Sequence, residues 1–300
     1  MKLSLLTRSC LLALATGGIA PALQAEAWRA EGGEQKTVTS GHTTSTPGEY
    51  PLYAEGAGST LISENAYEFN TTGNDLYAAY ALDGGTIIAN GGNFTTNGTG
   101  AHGLLAEDAT LVINGGTVAT SGSSSHGIMA SGGAADISLE DLNITTSSNG
   151  SNGINMTSGI LEAQRITLTT SGSNADAVSL DNSQADLSDN SSITTRGNDS
   201  NGVRVQNNSR LTISDTTIEL AGSGNASGLN ISDSTVNATR LTVTAANSSR
   251  GIVASSSDGT HRLQLSQTNI TTDEGDALVL SGGEAEMTNL VINSNEGYGI

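Results

Sequence analysis

Cysteine, proline and aromatic residues are all scarce in this 300-residue chain, and each shortage excludes a class of structure. The one cysteine, Cys10, has no partner for an intramolecular disulfide, so the fold cannot depend on a disulfide framework. The three prolines (Pro21, Pro47 and Pro51) all precede residue 52, which leaves the rest of the chain free to form uninterrupted strand ladders. Aromatic residues make up 3% of the chain, so any core is expected to be aliphatic.

Basic residues are also few, since 11 Lys and Arg oppose 30 Asp and Glu and the formal net charge is −19. Such a surface repels nucleic acid and anionic lipid, so we expect no nucleic-acid partner. The charge is typical of an exposed protein that must stay soluble. Calcium binding is the alternative, but the Gly-Gly-x-Gly-x-Asp repeat of calcium-loaded β-rolls is absent.

The apolar run over residues 10–15 is too short to span a membrane. Lys2 and Arg8 precede this run, and small residues around Ala25 and Ala27 follow it. This order predicts a signal peptide over residues 1–25, cleaved after Ala25 or Ala27, and therefore export from the cytoplasm. Residues 26–51 are then expected to form an N-terminal segment or cap.

Two columns of residues recur every 25 residues or so, which indicates a repeat protein. The first column is Gly or Ala followed by an apolar residue, and the second is an apolar residue followed mostly by threonines. The first column reads Gly103-Leu104, Gly127-Ile128, Gly153-Ile154, Ala177-Val178, Gly202-Val203, Gly228-Leu229, Gly251-Ile252, Ala277-Leu278 and Gly299-Ile300. The second runs from Phe94-Thr95-Thr96 to Ile292-Asn293-Ser294. Backward extrapolation gives Ala79-Tyr80 and Ala54-Glu55 for the first column and Phe69 for the second.

A third pair of alternating apolar residues, such as Leu111 and Ile113, lies between the two columns, so each repeat holds three short strands separated by turn-forming residues. With no helical periodicity, the pattern predicts an all-β fold in which each repeat is one coil of a right-handed parallel β-helix. We expect about ten coils of about 25 residues, over residues 52–300. Leucine-rich repeats share the period but need a Leu-x-x-Leu-x-Leu pattern that these repeats lack.

The recurrent Gly-apolar-x-Ala and Ile-x-Thr units, as in the segment from His126 to Ala130, resemble the passengers of pertactin-like autotransporters. The resemblance covers residues 52–300. It implies a Gram-negative protein, exported through the periplasm and displayed on the cell surface by a C-terminal outer-membrane β-barrel with the help of the outer-membrane assembly machinery. The barrel is not in this chain, so the sequence is expected to be the N-terminal part of a longer protein. The resemblance further implies a stalk or adhesin whose partners are host-cell or matrix surfaces or other bacterial cells.

The residues that precede the first column are the candidate site on such a rod, because lyases and hydrolases with this fold use clustered carboxylates on the outer face. They read His102, His126, Asn152, Asp176, Asn201, Ser227, Arg250, Asp276 and Tyr298. Asp176 and Asp276 are four coils apart and cannot act as a pair. His102 and His126 offer two metal ligands without an evident third, so two exposed polar residues at a repeated turn are the favoured interpretation.

Other carboxylates cluster in turns at Glu107-Asp108, Glu140-Asp141 and Asp273-Glu274, where solvated charges are expected. No Gly-x-Ser-x-Gly, phosphate-loop or His-Glu-x-x-His motif is present. We therefore predict no enzyme activity, no catalytic residue, no cofactor and no metal. A secreted polysaccharide-active enzyme remains the alternative, and a secreted exoprotein of the haemagglutinin type is a third reading.

Aromatic residues are concentrated near the N-terminus. They are Trp28, Tyr50, Tyr53, Tyr67, Phe69, Tyr77, Tyr80 and Phe94. A cap on the end of the solenoid is the favoured explanation, because an open end invites edge-to-edge aggregation. A receptor-binding tip is the alternative.

Overall fold

The computed structural model describes residues 27–257, 259 and 261–300, and all regular structure within these ranges is β-strand. The parallel strands stack as a β-solenoid of about 11 turns with roughly 25 residues per turn. At a strand spacing of about 4.8 Å, the stack is about 50 Å long. The all-β parallel solenoid expected from the repeat is confirmed. The predicted signal peptide, residues 1–25, lies outside the described residues.

Most coils contribute three strands, and in four coils two of them run together as one long strand. The strands of the first five coils are β1 (Trp28–Glu31), β2 (Gln35–Val38), β3 (His42–Thr44), β4 (Leu52–Glu55), β5 (Thr60–Ser63), β6 (Glu68–Thr71), β7 (Ala79–Leu82), β8 (Thr86–Asn90), β9 (Asn93–Thr96), β10 (Leu104–Glu107), β11 (Thr110–Thr120), β12 (Ile128–Ser131) and β13 (Asp136–Thr146). The later strands are β14 (Ile154–Gln164), β15 (Thr167–Thr170), β16 (Val178–Ser188), β17 (Ser192–Thr195), β18 (Val203–Gln206), β19 (Arg210–Ser214), β20 (Thr217–Leu220), β21 (Ser227–Ser232), β22 (Thr235–Thr239), β23 (Thr242–Ala245), β24 (Arg250–Ser255), β25 (Arg262–Ser266), β26 (Asn269–Thr272), β27 (Leu278–Ser281), β28 (Glu284–Thr288) and β29 (Val291–Ser294).

Each strand pairs in parallel with its counterpart in the next coil, so equivalent residues stack above one another. Leu104 pairs with Ile128, and Ile128 in turn pairs with Ile154. The inward side chains are buried, mostly aliphatic, and form one continuous core. Phe69 and Phe94 add the two largest buried rings, which stack with their centroids 5.2 Å apart. The aliphatic core follows from alternating inward and outward residues along each strand.

The stack begins one coil earlier than the repeat columns indicate. Strand β1 pairs with β4, β2 with β5 and β3 with β6, so residues from Trp28 onward already form a coil. The repeat is hard to recognise there because His42 takes the inward position that Phe69 and Phe94 occupy in the next two coils. Part of the expected N-terminal segment therefore belongs to the solenoid itself.

Backward extrapolation of the first column was wrong in register. Leu104 pairs with Ala79, and Ala79 pairs with Leu52. The pairs equivalent to Gly103-Leu104 are therefore Ala78-Ala79 and Pro51-Leu52 rather than Ala79-Tyr80 and Ala54-Glu55. Consecutive alanines made two registers look alike, and a proline in place of the glycine hid the correct one.

A threonine hydroxyl closes the turn from the third strand of a coil to the first strand of the next. Thr96 Oγ1 donates to the carbonyl oxygen of Ala101 at 2.5 Å, and Thr120 Oγ1 donates to that of Ser125 at 2.7 Å. The same bond recurs from Thr71 to Leu76, Thr146 to Ser151, Thr170 to Ala175 and Thr195 to Ser200. In these six turns, the bond holds the residue that follows the acceptor in the same outward position.

A glycine in this turn lies almost against the coil before it. A Cβ atom on Gly122 would lie 1.7 Å from the carbonyl oxygen of Gly98, although Gly122 has no positive φ. The same contact with the preceding coil recurs at Gly172, Gly197, Gly222 and Gly275. Glycine is therefore required here by the approach of two backbones. No helix among the described residues is long and apolar enough to cross a membrane.

Candidate functional site

Two neighbouring columns of outward side chains form a stripe along the solenoid, and we call them the pre-anchor column and the flank column. The pre-anchor residue comes just before the Gly/Ala-apolar pair, and the flank residue lies three positions later. In order of coils, the pre-anchor column is Tyr50, Tyr77, His102, His126, Asn152, Asp176, Asn201, Ser227, Arg250, Asp276 and Tyr298, and the flank column is Tyr53, Tyr80, Leu105, Met129, Asn155, Ser179, Arg204, Asn230, Val253 and Val279.

The aromatic end of the stripe is a stack of four rings in the pre-anchor column. Tyr50 and Tyr77 have ring centroids 5.4 Å apart and planes 4° apart. Tyr77 stacks on His102 at 5.4 Å, and His102 stacks on His126 at 5.0 Å. The rings follow the strand spacing of the coils beneath them. Sequence reasoning missed Tyr50 and Tyr77 as members of this column because its register was wrong in their coils.

Tyr53 and Tyr80 complete the aromatic end from the flank column. The ring of Tyr80 meets those of Tyr50 and Tyr53 edge-on, with centroids 5.1 and 5.5 Å away. The hydroxyl of Tyr53 donates to Glu55 at 2.6 Å, and that of Tyr80 donates to Glu107. Burial, followed by these carboxylates, raises the pKa of Tyr53 to about 12 and also raises that of Tyr80. The phenols therefore stay protonated at neutral pH.

The two histidines are hydrogen-bond acceptors for the coil above them. The backbone N–H of His126 donates to His102 Nδ1 at 3.0 Å, and that of Asn152 donates to His126 Nδ1 at 2.9 Å. An accepting Nδ1 places the proton of the neutral ring on Nε2. Burial lowers the pKa of each histidine to about 4. Both rings are partly buried and neutral, whereas the sequence suggested exposed polar residues.

These contacts also bear on metal binding. Because Nδ1 of each ring accepts a backbone hydrogen bond, Nε2 is the ring nitrogen not used in this way. Within the described ranges, no group of three His, Cys, Asp or Glu side chains is arranged to hold a metal ion.

A chain of side-chain-to-backbone hydrogen bonds continues along the next coils. Asn152 Oδ1 accepts from the backbone N–H of Asp176 at 2.9 Å, and Asp176 Oδ1 accepts from that of Asn201 at 2.7 Å. Asn201 Oδ1 accepts from the backbone N–H of Ser227 at 3.0 Å. Each of these three side chains thus provides an acceptor for an N–H group of the next coil, which would otherwise be an unpaired buried donor.

Asp176 is fully buried and bound by three donors. Besides the backbone bond, its Oδ1 accepts from Asn201 Nδ2 at 2.8 Å, and its Oδ2 pairs with the Arg204 guanidinium from the flank column. Arg204 Nε is buried without a hydrogen-bond partner. Asp276 lies four coils farther along the same column, where Oδ1 accepts from the backbone N–H of Tyr298 at 3.0 Å. Asp176 and Asp276 therefore lie apart, and each connects its own pair of coils.

The carboxylates that cluster in turns also connect coils. Asp108 Oδ1 accepts from the backbone N–H of Ala134 at 3.0 Å. Glu140 and Asp141 both pair with Arg165 of the next coil, with Asp141 Oδ1 2.8 Å from Arg165 Nε. Such exposed pairs contribute little to stability. Asp108, Glu140 and Asp141 therefore each have a partner in a neighbouring coil.

No family model, curated protein or solved structure matches the chain. Its function must therefore be inferred from the solenoid and from the side chains of the stripe. A parallel solenoid occurs both in enzymes and in stalks, so the fold by itself does not choose between them.

Proposed function

We propose that this chain is the surface-displayed passenger of a pertactin-like autotransporter and acts as a stalk or adhesin. The observation that carries the proposal is the parallel register, which continues coil by coil from β1 to β29. A rod of this kind holds its binding residues at a fixed distance from the point where the rod is attached to the cell. Host-cell or matrix surfaces, or other bacterial cells, are its proposed partners.

The solenoid suits export because each coil contacts mainly its neighbours. Stability in such a stack is close to a sum of coils and coil-to-coil interfaces, so coils add to a folded end one at a time. A chain that emerges end-first from a membrane therefore buries apolar surface with each new coil. The single cysteine, at position 10, has no partner within the chain, so no intramolecular disulfide can lock the chain before it has crossed.

The side chains of the stripe favour a scaffold over a catalyst. Asp176 is held by donors on both oxygens, and His102 and His126 each have Nδ1 engaged by a backbone N–H. A general acid or base must instead exchange its proton with a substrate. These groups hold coils together, as a stalk requires.

Protease treatment of intact cells tests the proposal. We expect added protease to remove the protein from whole Gram-negative cells that produce it, while a periplasmic marker protein stays intact. Resistance in intact cells, with the protein recovered in the periplasmic fraction and degraded only after lysis, would contradict surface display. That result would favour the polysaccharide-active alternative.

A further inference from the structure

The outward residues of the third strands form two parallel columns from β13 to β26, and we call these columns the threonine face. The first column runs from Asn143 to Asn269 and the second from Thr145 to Thr271, with threonine at most of the positions between. All of these side chains are exposed or partly exposed. The strands fix a spacing of about 4.8 Å between neighbours in a column and about 6.6 Å between the columns. The face is therefore a regular two-dimensional array.

The side chains of the threonine face make no hydrogen bond to the part of the chain that the structure describes. The inward threonines of the same strands differ in this respect. Thr170 Oγ1 donates to the carbonyl oxygen of Ala175 at 2.8 Å, and Thr195 Oγ1 donates to that of Ser200 at 3.2 Å. The outward hydroxyls are therefore free to serve as donors and acceptors for a partner outside the protein.

The threonine face is almost uncharged, although the chain carries a net charge of −19. Glu219 is the only charged residue in the two columns. Arg165 and Arg240, in the turns that precede the face, are each paired with carboxylates of the preceding coil. The columns also contain no aromatic ring on which a sugar could stack. A neutral surface of hydroxyl and amide groups is complementary to a neutral partner that forms hydrogen bonds, rather than to an ion.

The spacing of the hydroxyls is close to a spacing found in ordered water. A hydrogen bond between two water molecules spans about 2.8 Å. In a tetrahedral network, two molecules that share one neighbour are therefore about 4.6 Å apart, close to the strand spacing of about 4.8 Å. Threonine is β-branched, so its χ1 angle is restricted and its hydroxyl keeps a narrow range of positions. Hydroxyls of successive coils can thus take the places of such water molecules.

We propose that the threonine face binds ice. Ice is a neutral solid of tetrahedral water, so it matches the face in charge, in hydrogen bonding and in the spacing along the columns. The flat sheet lets many coils contact one crystal surface together. Binding to ice does not depend on surface display, so the proposal is measured on the purified protein and stands or falls separately from the proposed function.

Partition of the purified protein between growing ice and liquid tests the proposal. A dilute solution is frozen slowly onto a cold surface, and the protein concentration is measured in the ice and in the remaining liquid. We expect enrichment in the ice. Thr194→Lys should lower the ratio of the two concentrations about tenfold, because a charge at the contact loses water without gaining a partner. Exclusion of the unchanged protein from the ice would overturn the proposal.

Thr212→Lys is the matched control, because Thr212 is an exposed threonine of β19 and lies outside the threonine face. It adds the same charge and should partition as the unchanged protein does, and urea midpoints of both variants check that they fold. An equal loss in both variants would contradict the proposal, since it would indicate a general effect of charge. Exclusion from ice together with a concentration-dependent sedimentation that Thr194→Lys abolishes would also overturn it, and would assign the face to a second copy of the chain.

Discussion

The two segments of the stripe occupy equivalent positions in successive coils yet fill them by different physics. From Tyr50 to His126, rings stack on rings with centroids 5.0 to 5.4 Å apart. From Asn152 to Asn201, short polar side chains accept hydrogen bonds from the backbone of the next coil. The histidines belong to both segments, since they stack and also accept. A column can therefore change its chemistry as long as each residue contacts the coil above it.

The comparison predicts that the polar segment is the more sensitive to loss of a single side chain. Asp176→Ala removes the acceptor for the Asn201 N–H and leaves the Arg204 charge without its partner. Removing one member of a buried pair is costly, and we expect a loss of about 3 kcal/mol of unfolding free energy. Urea denaturation of the purified protein measures it. Asp186→Ala, an exposed carboxylate of the same coil, is the control and should change the midpoint little. Similar midpoints for both variants would show that the hydrogen bonds and the ion pair of Asp176 contribute little to stability.

Acid should weaken the aromatic segment specifically. The folded-state pKa of His102 and of His126 is about 4, below the ordinary value of 6.5, so protonation favours the unfolded chain. The stabilisation is complete above pH 6.5 and falls as the pH drops from 6.5 towards 4. Between pH 7 and 5.5 we expect a loss of about 1 kcal/mol for each histidine. Urea midpoints across this range measure the loss, and imidazole NMR signals that titrate near pH 6.5 would contradict it.

Substitution at His126 separates the two kinds of contact with the smallest effect. His126→Phe keeps a ring on His102 but leaves the Asn152 N–H without an acceptor, whereas His126→Asn keeps an acceptor and loses the ring. We expect the phenylalanine variant to be less stable than the asparagine variant by about 1 kcal/mol. Hydrogen exchange at the Asn152 amide should also be faster in the phenylalanine variant than in the asparagine variant. The reverse order of stability would show that ring stacking dominates at the junction of the segments.

The apolar columns were enough to predict the solenoid because inward residues repeat with little variation from Leu104 to Leu278. The columns gave the wrong register in two earlier coils. At Ala78 and Ala79, two neighbouring alanines could each be the first residue of the pair, and at Pro51 a proline stands where later coils have glycine or alanine. The error was one residue in the coil of Ala79 and three residues in the coil of Leu52. It concealed the aromatic end of the stripe, since it moved Tyr77 out of the column that contains His102. Register, more than residue type, decides which aromatic rings meet.

The pairing of Asp176 with Arg204 was beyond reach for a different reason. The two residues lie in different columns of adjacent coils, 28 positions apart in sequence. The pre-anchor column contains Asp176 but not its partner, because the long side chain of Arg204 reaches across from the flank column. The sequence therefore located the pre-anchor column from His102 onward, but not the flank column that contains the partner of Asp176.

The strands run perpendicular to the long axis of the solenoid, and this arrangement has a mechanical consequence. Backbone hydrogen bonds between coils point along the rod, so tension between its two ends pulls directly on the bonds of one interface and peels the terminal coil. Each coil adds about 5 Å to the folded rod, yet its roughly 25 residues extend to about 80 Å when pulled straight. Unfolding of a single coil under tension would thus lengthen the protein by more than the length of the whole folded stack. This extension relieves the force while the remaining coils stay in register.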